Sequence, residues 1–108
     1  MTTIIAFDFN AKTITSPPPD GIQAVIDAGN YCWIDMDRTS DAAAILDALD
    51  VGPDTIERIA KDLIQGQFIM AQNCIHFTLL ETQLDSNILR LNTLHVVVGD
   101  GYLATIHN

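Results

Sequence analysis

Cys74 and His76 stand two residues apart in the segment NCIHFTLL, and His95 follows in TLHVVV. On an extended strand, residues i and i+2 share a face, so both side chains point the same way. A thiolate and two imidazoles could together form a three-ligand zinc site with an open fourth position. A half-buried histidine beside a core cysteine is the simpler reading of the same pattern. Register decides between them, because a slip of one residue turns His95 to the other face. A second cluster is acidic: Asp35, Asp37 and Asp41, with Asp47 and Asp50 further on. Calcium or magnesium needs convergent oxygens, and the spacing of an EF-hand loop is absent. A solvated acidic face is the simpler reading. Thr78 and Thr105 have no base near them in sequence, and Trp33 reads as a core or interface aromatic. The chain contains no Gly-rich phosphate loop, H-E-x-x-H, G-x-S-x-G or Cys-rich zinc spacing. No catalytic or cofactor-binding residue is assigned, the metal ligands stay unknown, and enzyme chemistry is not expected.

The elements that position these residues follow from periodicity. In TIIAFDFN, Ile5, Phe7 and Phe9 alternate as on a half-buried strand. Asn10, Ala11 and Lys12 turn it back into TIT. SPPPDG then breaks regular structure, since successive prolines lack donors and restrict their predecessors. From Asp20 the spacing of Ile22, Val25 and Ile26 is helical, with Gly29 as its stop. YCWIDMD predicts a strand with Cys32, Ile34 and Met36 on one face and Tyr31, Trp33 and Asp35 on the other. Thr39 or Ser40 caps a second helix whose stripe is Ile45, Leu46 and Leu49. Pro53 opens a third helix, with Ile56, Ile59, Leu63 and Ile64 facing inward and Glu57–Lys61 and Arg58–Asp62 paired outside. QFIMAQNCIHFTLLETQ reads as two strands folded at Gln72 and Asn73. NILRLNTLHVVV and YLATIH add two more around the Gly99-Asp100-Gly101 turn. The order ββ-α-β-α-α-ββββ predicts an α/β (α+β) fold with about three helices and a mixed parallel and antiparallel sheet.

The totals set limits. A chain of 108 residues with 48% apolar and 18% charged residues is one globular domain, covering 1–108. Its 5 Lys+Arg against 14 Asp+Glu give a formal net charge of −9. Such a surface repels phosphate backbones and anionic lipid, which argues against nucleic-acid and membrane-surface partners. No stretch approaches the ~18–20 apolar residues of a membrane span. Cys32 and Cys74 are far apart and read as reduced, buried thiols of a cytoplasmic protein.

Taken together, Trp33-Ile34-Asp35-Met36, LDVGPDTIERIAKDL, NCIHFTLL and LHVVVGDGYLATIH resemble the cytoplasmic N-terminal domain of CorA-like (CorA/ZntB) divalent metal ion transporters. Members carry a W-I-D-L strand, an L-G-x-H-P-x-x-x-E-D-I helix, a Y-x-F-x-x-L strand and a closing N-Y-L-x-T-x-H strand. Leu49, Pro53, Glu57 and Ile59 match the second motif, and Tyr102, Leu103, Thr105 and His107 the last. The resemblance covers residues 31–107. It implies an α/β/α sandwich at the entrance of a homopentameric channel for magnesium, cobalt or zinc, with regulatory and assembly roles. In the family, more helices, a stalk helix and two transmembrane helices with a Gly-Met-Asn signature follow. Those segments are absent from these residues, so the resemblance implies part of a transporter, or a short relative, with its second helical layer missing. Such a chain cannot itself transport an ion and meets the membrane only through the absent segments. A homo-oligomer is expected, a dimer for this chain.

Departures from the family pattern fall on one helix. An aspartate that helps bind a regulatory divalent ion in many members is replaced by Arg58, a fixed cation. Gly52 stands for the histidine, and Gln65-Gly66-Gln67 for the R-P-K segment. The main alternative is a stand-alone protein-interaction domain of the same fold. A small metal-dependent enzyme built on His76 and His95 is a third reading.

Overall fold

The computed structural model describes residues 2–38, 40–63, 68–71 and 73–107. Strands β1 (Thr2–Asp8) and β2 (Thr13–Thr15) form the first hairpin, and a 3-10 turn at Pro19–Gly21 leads into α1 (Ile22–Asp27). β3 (Tyr31–Asp37), α2 (Ser40–Ala48) and α3 (Pro53–Ala60) follow. β4 (Ile69–Met70), β5 (Cys74–Asp85), β6 (Ile88–Gly99) and β7 (Tyr102–His107) complete the chain. They make one seven-stranded sheet in the order β2-β1-β3-β7-β6-β5-β4. Among the described residues only β3 and β7 pair in parallel, as their helical crossover requires; the hairpin neighbours are antiparallel. This is the mixed α/β arrangement that the periodicities predict.

The three helices end alike. At the end of α1, Gly29 has φ +89°, its N–H donates to the Ile26 carbonyl and that of Asn30 to the Val25 carbonyl. This is the Schellman closure, which satisfies carbonyls a helix end would otherwise strand. The same pair of bonds closes α2 around Asp50 and α3 around Asp62. There a left-handed φ of 63° and 55° is held by aspartate rather than glycine, at a cost of about 1–2 kcal/mol each. Thr39 and the Ser40 side chain, the expected cap of α2, lie outside the described residues, as do Ile64, the Gln65-Gly66-Gln67 segment and Gln72.

The core lies between the helices and one sheet face. Ile22, Ala42, Leu46 and Ile59 from the helices pack with Ile34, Met36, Val97, Ala104 and Ile106 from the strands. Two expectations need correction. Leu63 does not face inward but is 46% exposed, because the chain leaves α3 at Ala60 before the apolar stripe reaches it. In β1 the buried residues are Ile4 and Ala6, while Ile5, Phe7 and Phe9 lie on the opposite face. A strand apolar on both sides gives no period-2 clue to which side the helices cover.

β5 and β6 are 12 residues each and outrun their neighbours, since β7 pairs β6 only from Leu94 onward. Their far halves form a two-stranded arm closed at Ser86 and Asn87, whose φ values of 50° and 67° suit a type I′ turn. The arm explains a radius of gyration of 14.7 Å, above the ~13 Å of an ordinary domain of this length.

Candidate functional site

The β5–β6 register pairs His76 with Val97 and Thr78 with His95, which places both histidines on the helix-covered face. Their rings lie 5.4 Å apart, and His76 Nε2 is 3.2 Å from His95 Nδ1. His95 Nε2 is 2.8 Å from Asp62 Oδ1. A carboxylate only accepts, so His95 donates from Nε2 to Asp62, and the tautomer sets which ring donates in the His76–His95 contact. The chain Asp62–His95–His76 then ends on His76 Nδ1, which is buried without a hydrogen-bond partner among the described residues. His76 is driven down to about 4 by burial, then by the nearby His95 and Arg58. It is a neutral imidazole at pH 7.

Asp62 is thus tied to His95 and not, as the helical spacing predicts, to Arg58. The C-terminal turn of α3 swings Asp62 under the sheet, while Arg58 Nη2 donates to Thr55 Oγ1 at 2.9 Å. Glu57 and Lys61 do pair outside, at 2.8 Å. Among the described residues no three His, Cys, Asp or Glu side chains are arranged to hold a metal ion, so Cys74, His76 and His95 do not converge as zinc ligands. Cys74 and Cys32 are free and buried, and burial raises both thiols above their ordinary range.

On the other face, Asp35, Asp37 and the C-terminal strand form a polar network. His107 Nε2 lies 3.2 Å from Asp35 Oδ2 and its Nδ1 3.4 Å from Asp37 Oδ1. Thr105 Oγ1 donates to Asp35 Oδ1 at 2.7 Å and accepts from Trp33 Nε1 at 3.1 Å. Both roles of that hydroxyl are taken, so it is a structural group. Asp41 and Asp47 stay exposed, and Asp50 Oδ2 accepts from Asn73 Nδ2 at 2.9 Å. The acidic stretch divides among these separate partners.

Around the network this face is apolar. Pairing aligns Met70, Ile75, Val98, Leu103, Trp33 and Ile5 in one row across six strands. Phe7 and Phe9 stack at 6.2 Å, and Phe68 meets Phe77 edge-on at 4.9 Å. Phe9 is 71% and Trp33 39% exposed. Among the described residues no helix covers this row. Sequence reading anticipated the face but missed the Asp62–His95 bond, for which a lone acid beyond a helix end offers no signal.

No protein-family profile matches the chain, and no curated protein matches it. Among solved structures it is similar to the crystal structure of the ZntB cytoplasmic domain from Vibrio parahaemolyticus RIMD 2210633, with a TM-score of 0.67 and 15% identity over 97% of this chain. The chain spans 43% of the length of that structure. The likeness establishes the fold, and it is the fold implied by the resemblance of the motifs.

Proposed function

We propose that this chain serves as a soluble, non-catalytic domain of a CorA/ZntB-like divalent-cation transporter, with a regulatory and assembly role at the cytoplasmic face. The observation that carries this reading is the half-buried apolar row of the sheet that no helix covers among the described residues, in a fold similar to the ZntB cytoplasmic domain. Such a face, with the helices of the described residues packed on the opposite side, is suited to receive further structure. Magnesium, cobalt or zinc would be the cargo of the whole assembly and not a resident ligand of these residues. Arg58, packed on Thr55, supplies a fixed positive charge where the family resemblance places a metal-binding carboxylate.

Sequencing the transcript through and beyond codon 108 tests the reading. Two apolar spans with a Gly-Met-Asn signature are expected. An in-frame stop directly after Asn108 would overturn a covalent transporter and leave the stand-alone interaction domain. The same uncovered face favours that second reading, in which a second copy covers the row.

A further inference from the structure

At the end of the sheet where β7 begins, a cavity of about 570 Å³ opens between α1, the turn after α2, and the β6–β7 turn. That volume is within the ~300–1,000 Å³ of small-molecule sites. Its wall carries three carboxylates, Asp27, Asp50 and Asp100, and no lysine, arginine or histidine. Two are pinned by amides that leave one oxygen open: Gln23 Nε2 donates to Asp27 Oδ1 and Asn73 Nδ2 to Asp50 Oδ2, both at 2.9 Å.

A second observation is independent of the acids. Tyr102 lines the cavity, is 4% exposed, and its hydroxyl has no hydrogen-bond partner among the described residues. The register pairs Tyr102 with Gly99 and Gly99 with Cys74. The ring lies flat across Gly99, where an added Cβ would meet the hydroxyl oxygen at 2.4 Å. The hydroxyl therefore lies over Gly99 on the side towards β5, and Tyr102 shares the cavity wall with Asn73 and Asp50. An orphaned buried hydroxyl costs about 1–3 kcal/mol, which a donor or acceptor entering the cavity would relieve.

We infer that this cavity binds a small aliphatic organic cation, a diammonium or aminoguanidinium compound. Every open polar atom of the three acids accepts, so the ligand must donate N–H bonds and carry positive charge. Ile26 and Leu49 offer apolar wall for a methylene stem. A bare metal ion does not fit, because no metal-holding set of three side chains exists among the described residues.

Calorimetric titration of the chain with putrescine and with agmatine tests the site, with tetramethylammonium and magnesium at matched ionic strength as controls. One saturable site is expected for the N–H donors. Asp50→Asn and Asp100→Asn should each weaken it about tenfold or more, the worth of a charge-assisted hydrogen bond. Asn tolerates the left-handed φ at position 50, and a melt of each variant checks that it is folded. Tyr102→Phe should weaken binding several-fold, while Asp85→Asn, on the distant arm, should leave it unchanged. Equal heats with tetramethylammonium, or equal losses from Asp85→Asn and Asp50→Asn, would mean diffuse attraction to a negative surface and overturn the inference.

Discussion

His76 converts burial into a pH dependence. Above pH 6.5, its ordinary value, it is neutral in the fold and in the unfolded chain, and its contribution to stability is fully present. As pH falls towards about 4, the unfolded chain takes up a proton that the fold refuses, so stability is lost and levels off below. The loss amounts to about 3 kcal/mol. His76→Gln keeps an N–H donor towards His95 but cannot titrate, so wild-type stability should fall relative to this variant between pH 6.5 and 4 in denaturant titrations. Parallel curves would refute the assignment. The cysteines make a second prediction at single positions. Thiol titration of denatured, unreduced protein should count both Cys32 and Cys74, with slow reaction in the native state because burial disfavours each thiolate. A count near zero would defeat it. Gly99 makes a third: an alanine Cβ there would sit 2.2 Å from Tyr102 Cζ. Gly99→Ala should cost about 1–3 kcal/mol, read as a lowered melting temperature.

The β5–β6 arm and β3 represent opposite extremes among the elements. β3 is flanked by β1 and β7, and Ile34 at its centre is fully buried. Truncating it to alanine should cost about 2–5 kcal/mol. Leu84 and Leu89 face each other on the arm and are 72% and 64% exposed. Replacing both with threonine should leave the melting temperature almost unchanged, since threonine keeps strand propensity and little packing is lost. A large destabilisation would mean that the arm is packed within the protomer. Two-stranded ribbons are marginal alone, so we expect the exposed leucines of the arm to meet a partner surface.

For the molecule as a whole, the apolar row on the open face and the leucines of the arm favour self-association. Exposed apolar surface beyond the ~300–600 Å² patch of a typical monomer is penalised by about 25 cal/mol per Å². We expect a homo-oligomer, most simply a dimer, by sedimentation or light scattering at tens of micromolar protein, and a smaller species for Trp33→Ser with Leu103→Ser. A clean monomer mass for the wild type would refute this. Magnesium should add no specific stability. A site ion at a hundred times its dissociation constant contributes about 2.7 kcal/mol, and Arg58 stands where the resemblance places the needed carboxylate. Melts with magnesium and with sodium at matched ionic strength should coincide.

Much of this architecture is legible along the chain because its signals are local. The alternation of Cys32, Ile34 and Met36, the helical spacing of Ile22, Val25 and Ile26, Gly29 at a left-handed stop and Pro53 at a first turn each act within a few residues. Together they yield the order of elements and the mixed sheet. Distant relations were not legible. Ile5 and Phe7 alternate as regularly as Ile4 and Ala6, and only the placement of the helices buries the second pair. Cys74, His76 and His95 could form a ligand set only if register brought all three together, and register instead joined the two rings to each other. Asp62 lies 33 residues from His95 in sequence, with nothing in either segment to announce the bond. Tyr102 matches a motif position, yet its stranded hydroxyl exists only because Gly99 on the next strand lets the ring lie flat. Local periodicity sets what each segment becomes; which polar atoms meet, and which are left without a partner, depends on strand register and on the one face the helices cover.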